Sequence, residues 1–172
     1  MTVQRYEPIR RWFAARPAAL RALRAAAWLL PLGFGFAYGA LLARLGLRWA
    51  AAGAGDKAAA AAFLRTLLVP ALTFGFGTLL RRALNCPRPY EQPGFVPLLD
   101  KETAGRSCPS RHALSAAVIS MAWLAQVPAA GAVLLALTVC VCATRVLGGV
   151  HSVRDAAAGA ALGAACGALC LL

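Results

Sequence analysis

The chain has two histidines, and both lie where polar sequence gives way to apolar sequence. His112 follows Pro109-Ser110-Arg111, and His151 follows Gly148-Gly149 and precedes Asp155 by four residues. A histidine at a helix end reads, by itself, as a cap or a headgroup contact. Two of them in the same polar segments as Arg81, Arg88, Arg111 and Arg145 suggest chemistry. Residues four apart on a helix are neighbours, so Asp155 is expected beside His151. There it would fix the imidazole tautomer and stabilise its cationic or covalent state, as the carboxylate of a nucleophilic triad does. Asp155 also fits the N-cap of the following helix, and it could serve both roles. Arginine binds phosphate bidentately, and a helix start adds free amides. Ser110 and the amides after it would complete an anion site, with Gly148-Gly149 turning Arg145 and His151 toward one spot. These residues predict phosphoryl transfer through histidine. The alternative is a non-catalytic lipid-binding or transport protein with a basic headgroup site. A transporter should carry polar residues along its spans, and the last three apolar runs are nearly free of them.

The elements that must hold these residues are membrane helices. The 172 residues allow one domain. They are 60% hydrophobic and only 14% charged, which excludes a disordered chain, a coiled coil and an ordinary soluble enzyme. A span needs ~20 largely apolar residues. Five runs qualify, at 25–43, 58–80, 112–127, 129–146 and 155–172. Backbone groups in lipid must be satisfied internally, so each run is expected to be helical. The first run is long, starts late and does not read as a cleavable leader. Arginines recur among apolar residues over 10–24, which predicts an amphipathic helix lying at the membrane interface. The expected architecture is an all-α integral membrane bundle of about five transmembrane helices. It divides into a basic segment, 1–24, and an embedded domain, 25–172. Gly159, Gly163 and Gly167 share one face of the last helix and predict close packing on another helix. The net charge of +12 fits anionic membrane lipids rather than nucleic acid, because no soluble domain remains to carry a groove. The six cysteines form no metal-like spacing, and the four in apolar runs read as small hydrophobes.

Counting spans puts the 81–111 and 147–154 segments on one membrane face, together with the N-terminal tail. That face collects nearly all the polar residues outside the tail.

These residues also form a recognisable pattern. Arg81-x6-Arg88-Pro89, Pro109-Ser110-Arg111-His112 and Thr144-Arg145-x5-His151-x3-Asp155 resemble the three-part signature of the type-2 phosphatidic acid phosphatase superfamily. That superfamily includes membrane lipid phosphatases and the vanadium haloperoxidases. Its pattern is Lys-x6-Arg-Pro, Pro-Ser-Gly-His and Ser-Arg-x5-His-x3-Asp. Arg81 replaces lysine, Thr144 replaces serine and Arg111 replaces glycine. The family usually has six spans, against five counted here. The resemblance implies that His151 attacks phosphorus, Asp155 orients it, and His112 protonates the leaving oxygen and then activates water. It implies that Arg81, Arg88, Ser110, Arg145 and the amide near Arg111 hold the phosphoryl oxygens. The Arg111 guanidinium, which the family pattern lacks, either adds a phosphate contact or lies along the headgroups. It implies a lipid phosphate or diphosphate substrate of the phosphatidic acid, phosphatidylglycerol phosphate or polyprenyl diphosphate type. No metal or other cofactor is expected. The oligomeric state is not legible.

Orientation divides the indications. The arginine-rich tail favours a cytoplasmic site by the positive-inside rule, whereas the resemblance implies an extracytoplasmic one, the face adopted here. Cys86 and Cys108 each precede a phosphate-binding block, so they are expected near each other. They could form a disulfide on an oxidising face if their Cα atoms come within ~4.4–6.8 Å.

Overall fold

A computed structural model describes residues 1–53, 55–101 and 103–172. Six α-helices account for most of them: α1 (Val3–Ala14), α2 (Pro17–Ala52), α3 (Lys57–Leu84), α4 (Arg111–Gln126), α5 (Pro128–Leu147) and α6 (Val153–Gly167), the last extended by a 3₁₀ turn over Ala168–Leu171. There is no β-strand among the described residues. Each of the five apolar runs falls on one of α2 to α6. Four of these five, all but α4, are long and apolar enough to cross a membrane. Trp28, Phe36, Leu72 and Val139 are 82%, 71%, 69% and 68% exposed. Such large apolar side chains left outside the bundle mark a lipid-facing surface, and the protein is a multi-pass membrane protein.

The N-terminal boundary differs from the sequence expectation. Residues 17–24 belong to the first turns of α2, and the separate amphipathic helix is α1. Pro17 opens α2 at a position where its missing N–H is not needed. Helix-forming Ala, Leu and Arg then continue without a breaker into the span. Tyr6 of α1 is fully buried, stacks on Phe95 at 4.5 Å and donates its hydroxyl to the Leu147 carbonyl at 2.9 Å. The N-terminal helix is therefore fastened to the loops that carry the site.

α4 is the central helix, touching α2, α3, α5 and α6. At 16 residues it is about 24 Å long, shorter than a ~30 Å hydrocarbon core, and apolar almost all round, as a helix enclosed by others should be. The glycine face of α6 packs against it. A Cβ at Gly159 would collide with the Ser110 backbone and one at Gly163 with the Leu114 carbonyl. Ser120 of α4 and Thr138 of α5 pair with each other inside the bundle. Ser120 Oγ donates to the Ala116 carbonyl at 2.8 Å and lies 3.0 Å from Thr138 Oγ1.

Two helix-interior prolines have side-chain answers. Proline removes the donor to the carbonyl four residues earlier. Pro70 in α3 frees the Thr66 carbonyl, which accepts from Tyr38 Oη at 3.2 Å. Pro31 in α2 frees the Ala27 carbonyl, which accepts from Arg145 Nη2. In lipid, both carbonyls would otherwise be costly.

Candidate active site

The site lies at one end of the bundle, where the C-terminal ends of α3 and α5 meet the N-terminal ends of α4 and α6. α3 brings Arg81, which is buried and donates from Nη1 to the Pro109 carbonyl at 3.2 Å. The helix stops at Asn85, whose left-handed conformation (φ 40°) turns the chain toward Arg88. Arg88 is buried and donates from Nε to the Gly105 carbonyl at 2.9 Å. Glu91 organises this loop by accepting from the Arg88 and Gly105 amides at 2.9 and 2.6 Å. Those two hydrogen bonds hold its carboxyl below the usual range.

The last turn of α5 carries Thr144 and Arg145, and the chain then reverses through Gly149 (φ +76°). A Cβ there would strike Tyr6 and Phe95, so the turn requires glycine. It brings the His151 amide back to the Arg145 carbonyl at 3.2 Å.

His151 precedes α6 rather than lying within it, so its nearness to Asp155 has a different cause from the helical spacing expected. Ser152 is the N-cap: its Oγ accepts from the Asp155 amide at 3.2 Å, and Asp155 Oδ2 accepts from the Ser152 amide at 2.8 Å. This reciprocal capping box pins the carboxylate under the imidazole.

The direct separation, His151 Nδ1 to Asp155 Oδ2, is 3.9 Å, too long for a hydrogen bond. Ser107 bridges it. Its hydroxyl is fully buried, donates to Asp155 Oδ2 at 2.7 Å and sits 3.3 Å from His151 Nδ1. With its proton committed to the carboxylate, Ser107 Oγ accepts from Nδ1–H, which leaves Nε2 with its lone pair. Burial pushes the His151 imidazole below its ordinary value; Asp155 opposes this, and Arg88 and Arg81 add to it.

Ser110 caps α4 and is fully buried. Its amide donates to the Asp155 carbonyl at 2.9 Å, so that amide is committed, and the Ser110 side chain caps none of the amides that follow. Ser110 Oγ and Arg145 Nε are the buried side-chain atoms without a hydrogen-bond partner among the described residues.

His112 and Arg145 line a cavity of ≈ 730 Å³ with Arg24, Trp28, Asp100 and Lys101. Arg88 and Asp155 line a second of ≈ 700 Å³ under α1. The expected residues thus gather at one end of the bundle, except that the Arg111 side chain is exposed and lies against Phe74 of α3, 5.9 Å from the ring centre.

Two residues at the site were not singled out from sequence. Ser107 has no motif of its own and stands three residues before the Pro109-Ser110 block. Lys101 lies in a loop without periodicity. Burial and the like charges of Arg88, Arg145, Arg111 and Arg81 lower its ammonium below the ordinary value. Cys86 and Cys108 are both free thiols.

The sequence model of the PAP2 superfamily matches residues 60–172. The chain belongs to the PAP2 superfamily. The matched region of this PAP2 protein includes all the site residues described from Arg81 to Asp155. Aquifex aeolicus LpxE has the same fold, with a TM-score of 0.68 and 24% identity over 96% of this chain and 93% of that one. A PAP2 type phosphatidylglycerolphosphate phosphatase from Bacillus subtilis aligns with a TM-score of 0.49 and 22% identity over 96% and 90% of the two chains. No curated protein matches the sequence.

Proposed function

We propose that this PAP2 protein is a metal-independent phosphatase that hydrolyses a lipid phosphate or diphosphate through a phosphohistidine intermediate. The observation that carries this reading is the pair of buried, unpartnered polar atoms, Ser110 Oγ and Arg145 Nε. Buried polar groups without partners are costly, and phosphoryl oxygens are acceptors of the kind that the Ser110 hydroxyl and the Arg145 N–H lack.

His151 Nε2 attacks phosphorus, the bond to the lipid oxygen breaks, and His112 gives that oxygen a proton. Ser107 and Asp155 hold the imidazole and balance the positive charge it acquires. Arg81, Arg88 and Arg145 meet the charge developing on the phosphoryl oxygens, as preorganised donors do in a low-dielectric site. His112, now basic, takes a proton from water, which cleaves the N–P bond and releases inorganic phosphate. The bundle end is open to the headgroup layer, which suits a lipid substrate, and we assign this end to the extracytoplasmic face. The basic helix α1 and the first turns of α2 then lie on anionic headgroups of the same leaflet.

The test is phosphate release by purified protein from phosphatidic acid, phosphatidylglycerol phosphate and polyprenyl diphosphate, with a chelator present. His151→Ala should abolish release while the protein stays folded in detergent. Retention of most activity would remove the nucleophile from this scheme, and a parent protein that releases no phosphate from any of the three lipids would favour a headgroup-binding protein.

A further inference from the structure

A drier cleft adjoins the cavity lined by His112 and Arg145. Its volume is ≈ 390 Å³, and its walls include Phe34 and Gly35 of α2, Phe74 of α3, Ile119 of α4 and Val141 of α5. Pro31 and His112 line both spaces, so the proton donor of the proposed reaction stands where they join. Arg111 lines the polar end of the cleft.

Its guanidinium lies over Phe74, and Phe74 is seven residues before Arg81 on α3. Along a helix that is about 10 Å toward the middle of the bilayer. Arg111 therefore lies on the Phe74 side of the site, at the edge of the cleft, while its charge still reaches Lys101. It forms no ion pair with a carboxylate among the described residues. A guanidinium at the edge of a low-dielectric cleft favours an anion, and it matches phosphate geometry bidentately.

We propose that Arg111 selects lipids carrying a second phosphate on the leaving side of the reacting one, and that the cleft behind it takes one hydrocarbon chain of the same lipid. This rests on the phosphatase reading above. His112 protonates the leaving oxygen, so the residue beside it, turned toward the lipid, faces the departing group. In a lipid diphosphate, His151 attacks the terminal phosphorus. The bridging P–O bond breaks, and its electron pair stays on the departing lipid monophosphate, where Arg111 meets the charge. Water then cleaves the N–P bond and yields inorganic phosphate. In phosphatidylglycerol phosphate the second phosphate is a diester one glycerol away, and the same cation serves it.

The experiment compares kcat/KM for polyprenyl diphosphate, phosphatidylglycerol phosphate and phosphatidic acid, which has no second phosphate. In Arg111→Gly, the preference for a two-phosphate lipid over phosphatidic acid should fall at least tenfold, and Arg111→Lys should restore part of it. The lipid whose preference falls identifies where the second phosphate sits. An unchanged preference for both overturns the proposal.

The same three lipids are titrated in detergent against His151→Ala protein, with and without Arg111→Gly. Loss of selective binding there supports the role of Arg111 even if the parent protein releases no phosphate, a result that would overturn the phosphatase reading alone. Unaltered selectivity in binding overturns the role of Arg111.

Gly35 lines the cleft and has open space where a Cβ would go, so Gly35→Leu adds bulk at its wall without a backbone clash. It should raise KM for long-chain over eight-carbon phosphatidic acid at least fivefold. An equal effect on both removes the chain from the cleft.

Discussion

Ser107→Ala deletes one oxygen from the centre of the site. The Ser107 hydroxyl is fully buried and donates to Asp155 Oδ2 at 2.7 Å. A hydrogen bond to a charged group contributes about 1.5–3 kcal/mol. At about 1.4 kcal/mol per tenfold, its loss should lower kcat/KM for phosphate release by roughly tenfold to a hundredfold. The 3.9 Å between His151 Nδ1 and Asp155 Oδ2 leaves no direct bond to take its place. The backbone bond from the Ser107 amide to the Cys86 carbonyl, 2.9 Å, survives the change, so the melting temperature should move little. A double-mutant cycle isolates the route. If Ser107 acts through the carboxylate, the same substitution in an Asp155→Asn background should cost far less than in the parent. A single variant within twofold of the parent kcat/KM would refute the bridging role. An undiminished loss in the Asp155→Asn background would show that Ser107 acts elsewhere.

Three further outcomes are expected. Burial outweighs Asp155 at His151, so the neutral, nucleophilic imidazole should persist below the ordinary value near 6.5 and be lost only as pH falls further. Histidine-labelled His112→Asn protein, followed by NMR, should titrate with a midpoint below 6.5, and a midpoint above it contradicts the sign. Pro31→Ala restores the main-chain donor to the Ala27 carbonyl and takes that acceptor from Arg145; melting temperature should rise while phosphate release falls severalfold, and a parallel rise in both would contradict the coupling. A single cysteine at position 86 or 108 should react in intact cells with a membrane-impermeant thiol reagent, at alkaline pH because burial raises the Cys108 thiol. Protection that disappears on permeabilisation would put the site on the cytoplasmic face.

The membrane helices were legible because each is an apolar run, set off by charge at Arg81-Arg82 and by Pro128 between α4 and α5, and lipid leaves the backbone few other conformations. The site's outline was legible because Arg81, Arg88, His112, Arg145 and His151 stand at the ends of those runs. The junction between α1 and α2 was not, since Ala15 and Arg16 carry no strong breaker and Pro17 serves equally as a start. Ser107 and Lys101 were missed because their loop has no period. Its course follows tertiary contacts, such as the Leu98 and Leu99 amides donating to the Gly148 carbonyl at 3.1 Å. The i, i+4 rule gave the right partner for His151 by the wrong route, because the capping box and Ser107 produce the pairing.

The contact between Arg145 and the Ala27 carbonyl crosses a boundary that sequence comparison draws elsewhere. The shared family region begins at residue 60, yet an arginine within it is anchored on a helix outside it, at a carbonyl exposed by a proline 114 positions away in the chain. The segment that matches the superfamily model is therefore tied here to a helix outside it. In chimaeras that exchange residues 60–172 between relatives, Pro31 and Arg145 should be inherited together, because separating them leaves one partner's acceptor occupied or the other's carbonyl bare.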